Sequence, residues 1–453
     1  MRKKINEIVI EVEPIKLDDN GRGIFYYDNS TFFVPNLLPS EKGQVKIFKI
    51  KDKYIKDAKL IKRLTSSPNR TTPICPIYEK CGGCSLMHLN YQAQLDYKRQ
   101  KVENLLHKFA SIDIKVQPTI GMENPYRFRN KVQVPFRKEK GKVVYGFFEE
   151  NTHNVIPSSD CLIESKRACD ILKYIKSLMV KYNIEPYQED SSKGLIRHVL
   201  IKESLHFNEI MVVLVTTKKE MYAKTNFARM LVKKFPEITT VVQNINPRHT
   251  NVILGEEEEI LYGTGKIKDS IFGIKFLISA KSFYQTNPIQ VEKLYSKAIE
   301  YANLTGKENV LDAYSGTGTI GICASKNAKH VTCVEIVDSS VKDARKNGQI
   351  NNINNVTFIK DDCTKWMLNN KDNVNFDVVF MDPPRKGSTK EFLNALKEIK
   401  PRRVVYVSCD AVTLARDLQL LKDTFDVVEV TPCDMFPHTA HVESIALLTR
   451  KQI

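Results

Sequence analysis

Three groups of residues in this chain could do chemistry. Cys409 follows the apolar run Val404, Val405, Tyr406, Val407, and a cysteine at a strand tip facing a ligand crevice is placed for nucleophilic attack. The bland alternative is a small core residue, the usual fate of a lone cysteine. Glu443 closes the segment Phe436-Pro437-His438-Thr439-Ala440-His441-Val442-Glu443 and precedes the apolar run Ile445, Ala446, Leu447, Leu448. That puts a proton-accepting carboxylate at a strand end on the same edge of a sheet, with a plain surface carboxylate as its alternative. His438 and His441 could pair on zinc, but no third ligand is spaced to complete such a site. The third group is Cys75, Cys81 and Cys84, separated by five and then two residues and flanked by Gly82 and Gly83. Three thiols this close are more than a core needs and point to a metal site, with zinc and iron–sulfur both open.

These residues need elements to carry them. From about residue 290 the pattern alternates helices with apolar strands, as in a doubly wound parallel sheet. Asn309-Val310-Leu311-Asp312 ends a strand and leads through Ala313-Tyr314-Ser315-Gly316-Thr317-Gly318 into a helix, and glycines at such a turn let backbone pass close to a ligand. The next strand ends in Glu335, roughly 20 residues on, where an acidic side chain can accept hydrogen bonds from ribose hydroxyls. The pattern Asp-x-Tyr-x-Gly-x-Gly differs from the dinucleotide fingerprint and resembles the first motif of class I methyltransferases. Asp361 and Asp362 follow a third strand, where such enzymes hold the adenine amine. Asp382-Pro383-Pro384-Arg385 at the tip of a fourth strand resembles their fourth motif.

At 453 residues the chain is long enough for two or three domains. Residues 1–64 read as short alternating strands with glycine turns, the build of a small β-barrel, and a Ser/Thr/Pro linker follows at 65–73. Residues 1–70 hold fifteen Lys/Arg against nine Asp/Glu, and the whole chain has a formal net charge of +16. A basic, aromatic-bearing barrel of this size suits an oligonucleotide, although a structural domain with a solvated lysine face has the same composition. A helix is expected from Ala93 to Phe109, with Leu95, Val102, Leu105 and Leu106 as its apolar stripe. Pro125-Tyr126-Arg127-Phe128-Arg129-Asn130-Lys131 interleaves aromatics with cations and suits either an RNA contact or an amphipathic strand. No apolar run of about 18 residues and no charged-then-apolar leader is present, so neither a membrane span nor a secretory signal is expected. Cytoplasmic location, reduced thiols for the ten cysteines and a monomer are the corresponding expectations.

The segments Asp382-Pro383-Pro384-Arg385-Lys386-Gly387, Val407-Ser408-Cys409-Asp410 and Asp434-Met435-Phe436-Pro437-His438-Thr439 together resemble the RNA (uracil-5-)-methyltransferase family. The resemblance extends to Ser282-Phe283-Tyr284-Gln285-Thr286-Asn287 and, through the N-terminal barrel, to the family's RNA-binding TRAM domain. It implies S-adenosylmethionine as cofactor, lined by Gln285, Tyr314, Glu335 and Asp382, with Cys409 as nucleophile and Glu443 as proton acceptor. Some members have Asn where this chain has Thr319, so a cofactor contact at that position is left open. Family members that modify rRNA carry a [4Fe-4S] cluster, which here implies Cys75, Cys81, Cys84 and Cys161 as ligands, with Cys169 the alternative fourth. The implied substrate is RNA, 23S rRNA before tRNA. The implied architecture is an OB-like β-barrel at 1–64, an α+β central domain with the cluster at 65–280, and a C-terminal α/β Rossmann-like class I methyltransferase domain at 281–453. Two rivals stand beside it: a methyltransferase acting on an exocyclic nitrogen, which would need no nucleophile, and a non-catalytic iron–sulfur RNA-binding protein, which would leave the glycine-rich motif unexplained.

Overall fold

The computed structural model describes residues 5–50, 53–149, 152 and 154–452. Its C-terminal sheet has seven strands in the order Val356–Lys360, His330–Glu335, Asn309–Ala313, Val378–Met381, Arg403–Ser408, Glu443–Arg450, Phe425–Cys433. Neighbours pair in parallel except at Glu443–Arg450, which runs antiparallel to both strands beside it. Chain order reverses between Asn309–Ala313 and Val378–Met381, so a crevice opens beyond their carboxyl ends.

Both faces of this sheet are covered, which is why its central strands are continuous apolar runs rather than alternating ones. Val310, Phe380, Val405 and Val407 pack on one side with helix Pro288–Ala302 and with Leu200, Met211 and Val213 from the middle of the chain. Leu311, Val379, Met381 and Tyr406 pack on the other side with helices Lys390–Ile399 and Ala411–Leu421. Val102, Leu105 and Leu106 join that second core, so the helix Tyr91–Leu105 and its π-helical extension Leu106–Ala110 lie against the C-terminal sheet. The extent matches the expected helix, but its buried residues include Gln94 and Lys98 beside Val102 and Leu105.

The middle of the chain forms a second seven-stranded sheet, ordered Glu257–Tyr262, Ile238–Ile245, Ile210–Thr216, Ile196–Glu203, Lys131–Glu139, Lys142–Phe148, Val155–Pro157. It is mixed, with one parallel pair. The N-terminal residues form a six-stranded sheet from Ile5–Val12 to Lys16–Leu17. Ile8 and Ile10 from one edge strand share a core with Phe25 and Phe32 from near the other edge, so the sheet bends over on itself.

One buried ion pair ties this N-terminal sheet to the rest. Glu41 is fully buried, and its carboxylate accepts from Arg70 Nε (2.5 Å) and Nη2 (2.7 Å) and from the backbone N–H groups of Leu38 (2.8 Å) and Ser67 (3.0 Å). Removing the cation strands a buried carboxylate. Arg70→Met is therefore expected to destabilise this region by about 3 kcal/mol, seen as early chymotryptic cleavage around residue 64 while the C-terminal sheet stays protected.

Candidate active site

The loop after strand Asn309–Ala313 depends on backbone that only small or strained residues adopt. Tyr314 has φ +62°, Gly316 +56° and Gly318 +77°. A Cβ on Gly321 would lie 2.5 Å from Cys333 Sγ and 2.8 Å from Asp312 Oδ2, so the helix Thr319–Ala324 packs on the strand only without a side chain there. A Cβ on Gly316 would meet no protein atom within 4 Å, which leaves the turn open toward a ligand. Glu335 braces the turn. Its carboxylate accepts from Gly316 N (2.9 Å) and Val337 N (2.7 Å). Tyr314 is held from the opposite side, with its hydroxyl 2.7 Å from Ser388 Oγ.

Gln285 arrives from outside the sheet. Lys202 Nζ, deeply buried, donates to the carbonyls of Ser279 (2.7 Å) and Ser282 (2.8 Å), and Asn130 donates to the carbonyls of Gln285 (3.2 Å) and Thr286 (2.9 Å). Asn287 then caps helix Pro288–Ala302.

Strand register places the other two residues. Ser408 pairs with Ser444 in the last pair of the antiparallel junction, and Cys409 and Glu443 are the residues just beyond it, close enough for the Glu443 charge to act on the thiol. Asp410 caps helix Ala411–Leu421, accepting from Val412 N (3.0 Å) and Thr413 N (2.9 Å), and so fixes the backbone just beyond Cys409.

Gln285, Tyr314, Glu335, Asp382, Cys409 and Glu443 all line one cavity of about 710 Å³. That volume lies within the ordinary range for a small-molecule site. Thr319 and Asp362 line it too; Asp361 does not, and instead accepts from Asp362 N. Sequence reasoning passed over Asp312, Phe283 and Arg385 as site residues, although each sits inside a segment already singled out. Asp312 is almost fully buried, with Oδ2 accepting from Gly321 N (2.7 Å) and Oδ1 without a partner among the described residues.

The cavity crowds acids. Burial pushes Asp312 and Asp382 up to about 7. Glu443 is pushed up to about 8 by burial and by the charge of Asp382, with Arg385 opposing. The Cys409 thiol is pushed up to about 11 by burial, then by Glu443 and Asp382, again with Arg385 opposing. A pocket of buried carboxyls beside an open glycine turn fits a nucleoside ligand that carries a positive charge, as S-adenosylmethionine does at its sulfonium.

The cysteine group lies elsewhere. Cys84 is pushed up to about 12 by burial and by the neighbouring Cys81 and Cys75, and Cys161 is raised by burial, Glu164 and Cys84, so the four thiols share one neighbourhood. Cys84 and Cys161 pack on the same small cluster of Met122, Phe128 and Ile163. Among the described residues, however, no group of three or more His, Cys, Asp or Glu side chains is arranged to hold a metal ion. Cys169 is buried on helix Lys166–Lys181, its sulfur 4.0 Å from the carbonyl of Cys161. In the neighbouring basic segment, Tyr126 stacks on His438 (4.6 Å) and Arg127 pairs with Asp160 (2.9 Å) and donates to the Cys161 carbonyl (2.6 Å). Those two side chains are engaged within the protein. No helix among the described residues is long and apolar enough to cross a membrane.

The strand order, the reversed strand Glu443–Arg450 and the glycine turn at the switch point define a class I methyltransferase fold. Residues 90–451 match the model of the tRNA (uracil-5-)-methyltransferase family. The chain is 43% identical over 451 residues to an uncharacterized RNA methyltransferase of Listeria monocytogenes, covering 98% of each chain. It is 44% identical over 432 residues to another of Clostridium tetani, covering 95% of this chain and 94% of that one. The crystal structure of the Pyrococcus abyssi tRNA (uracil-54, C5)-methyltransferase in complex with S-adenosyl-L-homocysteine is similar with a TM-score of 0.76 at 27% identity, covering 97% of this chain and 99% of that one. This chain belongs to the tRNA (uracil-5-)-methyltransferase family and is an S-adenosylmethionine-dependent RNA (uracil-5-)-methyltransferase.

The raised Glu443 carboxyl has a measurable consequence. A carboxyl ordinarily near 4.5 but held near 8 in the folded state binds its proton more tightly there, so its stability contribution is full below 4.5 and is lost as pH rises through 8. Glu443→Gln has no such loss. Its melting temperature is expected to exceed that of the wild type at pH 8, with the gain vanishing below about pH 4.5, as read by calorimetry across that range.

Proposed function

We propose that Cys409 and Glu443 carry out the methylation as nucleophile and proton acceptor, and that the substrate is a uridine of 23S rRNA. The observation that carries the reading is the Ser408–Ser444 register, which leaves a thiol and a carboxyl close together on the wall of the cavity that also contains the glycine turn.

C5 of uracil is too weak a nucleophile to take a methyl group unaided. The Cys409 thiolate adds to C6, forming an S–C6 bond and moving the C5–C6 π pair into an enolate with carbanion character at C5. Bound S-adenosylmethionine would supply the electrophilic methyl group to C5, its sulfur keeping the electron pair of the S–CH3 bond that breaks. The Glu443 carboxylate then removes the C5 proton. The C5–H pair re-forms the ring double bond, the S–C6 bond breaks, and sulfur leaves with its electron pair. Gln285, Tyr314, Glu335 and Asp382 would hold the cofactor, Glu335 at the ribose hydroxyls. Ring atoms C5 and C6 must be reached from the ring faces, so the uridine has to leave its stack.

The free-enzyme thiol, near 11, is mostly neutral at physiological pH. Its proton has to leave as RNA binds, and Arg385 is the cation that favours the thiolate. Glu443, near 8, is mostly protonated at physiological pH, which spares the thiolate a second negative charge during attack, and it has to give up that proton before it can accept the one from C5.

The substrate reading rests on the cysteine pattern and its resemblance to the rRNA-modifying branch. A tRNA substrate is the second reading, favoured by the similarity to the Pyrococcus abyssi tRNA enzyme. A [4Fe-4S] cluster on Cys75, Cys81, Cys84 and Cys161 is supported by the shared neighbourhood of four thiols and by Gly83 N donating to Cys81 Sγ (3.4 Å). Burial and neighbouring charge keep the Cys81, Cys84 and Cys161 sulfurs protonated unless a cation compensates them. Holding a cluster would require the loop to draw in from the arrangement described above. The division into 1–64, 65–280 and 281–453 is proposed with it, the first part being a TRAM-type RNA-binding module. Exposed Tyr26 and the cation–π contact of Arg22 on Phe33 (4.5 Å) support a nucleic-acid face there.

Cys409→Ala is expected to abolish methyl transfer while S-adenosylmethionine still binds, and Glu443→Gln to accumulate a protein–RNA band stable to denaturing electrophoresis. Near-normal turnover in the first variant, or normal release of methylated RNA by the second, would overturn these roles. Mapping 5-methyluridine in a deletion strain separates the substrates, since its loss from 23S rRNA or from tRNA names one. For the cluster, anaerobically purified protein should be brown, with iron lost in Cys161→Ala and kept in Cys169→Ala. Colourless protein would refute the cluster.

A further inference from the structure

Helix Tyr91–Leu105 buries a polar face. Tyr91, Gln94, Lys98 and Lys101 recur at spacings of three, four and three, which aligns them along one side of the helix. Every one of them bonds into the connection 434–442, which joins strand Phe425–Cys433 to strand Glu443–Arg450. Tyr91 Oη donates to Asp434 Oδ2 (2.8 Å). Lys98 Nζ donates to Asp434 Oδ1 (2.5 Å) and to the Phe436 carbonyl (3.1 Å), and both charged side chains are fully buried. Gln94 Oε1 accepts from His438 N (3.0 Å), and Lys101 Nζ donates to the Ala440 carbonyl (3.0 Å). The connection is thus pinned at residues 434, 436, 438 and 440.

A buried ion pair is a poor way to gain stability, because desolvation of both charges offsets their attraction. What it supplies is direction. Cys433 and Glu443 face each other across the two strands, so the connection begins and ends at the same place, and it brings Phe436 and His441 to the cavity wall. Cys409 belongs to another strand and is steadied by the Asp410 cap. The cofactor-side residues have their own anchors, Lys202 and Asn130 for the Gln285 segment and Ser388 for Tyr314.

We propose that this helix face, with the Lys98–Asp434 pair at its centre, positions Glu443 for proton removal, so that Lys98 and Asp434 are positioning residues for the elimination step. The proposal rests on the reading of Glu443 as the proton acceptor. Releasing the connection leaves thiol attack and cofactor binding in place and slows resolution of the adduct.

The double variant Lys98→Met/Asp434→Asn tests this, since it removes both charges and strands neither. Its melting temperature and S-adenosylmethionine affinity are expected to stay near wild type. Adduct should form at the normal rate, carry methylated uridine, and resolve roughly 10- to 100-fold more slowly, as a misplacement of about 1 Å would produce. Resolution at the wild-type rate overturns the proposal. So does a parallel fall in formation and resolution, which marks a merely structural role. If the double variant does not fold, Lys101→Met carries the test from the rim of the helix. It should show the same imbalance in smaller measure, and an unchanged ratio of formation to resolution overturns the proposal. Glu443→Gln is assayed alongside: if it traps no adduct, the reading of Glu443 fails, and if it alone traps adduct, only the positioning fails.

Discussion

A parallel sheet delivers only the last residues of its strands to the ligand edge. In this protein one strand, Glu443–Arg450, runs the other way, and its first residue therefore reaches the edge that its neighbours reach with their last. That reversal brings Glu443 beside Cys409. Register does the rest: a one-residue slip between Ser408 and Ser444 would turn one of the two side chains to the opposite face of the sheet. The apolar packing of Val405, Val407 and Ile445 on one side against Tyr406, Ala446 and Leu448 on the other makes such a slip costly, so the placement of these two side chains is guarded by the two hydrophobic cores.

Chemistry and stability pull against each other at that edge. Asp312, Asp382 and Glu443 are buried acids with few compensating donors, and each would be more comfortable in water. The surroundings impose the strain rather than relieve it. The glycine turn must stay open for a ligand, and the helix behind it closes on a cysteine and an aspartate with no space for a methyl group at Gly321. A sulfonium nucleoside brings the positive charge and hydrogen-bond donors that these buried carboxyls lack, which is how a site unfavourable to the protein alone becomes favourable to the complex.

The parts of this arrangement legible in the sequence were those carried by local pattern. Cys409, Glu443 and the Tyr314–Gly318 turn sit at ends of apolar runs, and ends of runs survive as ends of strands. Pairing partners are a different matter. Nothing local says that Ser408 meets Ser444, or that Arg70 in the linker closes on Glu41. The helix Tyr91–Leu105 shows why a hydrophobic reading can miss a buried polar face: Leu95, Val102 and Leu105 made the stripe visible, while Gln94 and Lys98, buried more completely than Leu95, look in sequence like solvated positions. Their three-four-three spacing was present throughout, but buried polar periodicity acquires meaning only once the loop it holds is known. The cysteines show the converse. Their spacing announced a metal-type cluster, and the fold brings the four thiols into one neighbourhood, but no group of three among the described residues is arranged to hold a metal ion.

The covalent step at Cys409 is the claim on which the rest depends, and RNA carrying 5-fluorouridine at the target position tests it most directly. Fluorine at C5 cannot be removed as a proton, so elimination stops after methyl transfer and the S–C6 bond persists. Mass spectrometry of the digested complex is expected to find one modified peptide, containing Cys409 joined to a methylated fluorouridine nucleotide. Absence of any adduct, or its attachment to another of the ten cysteines, would contradict the account.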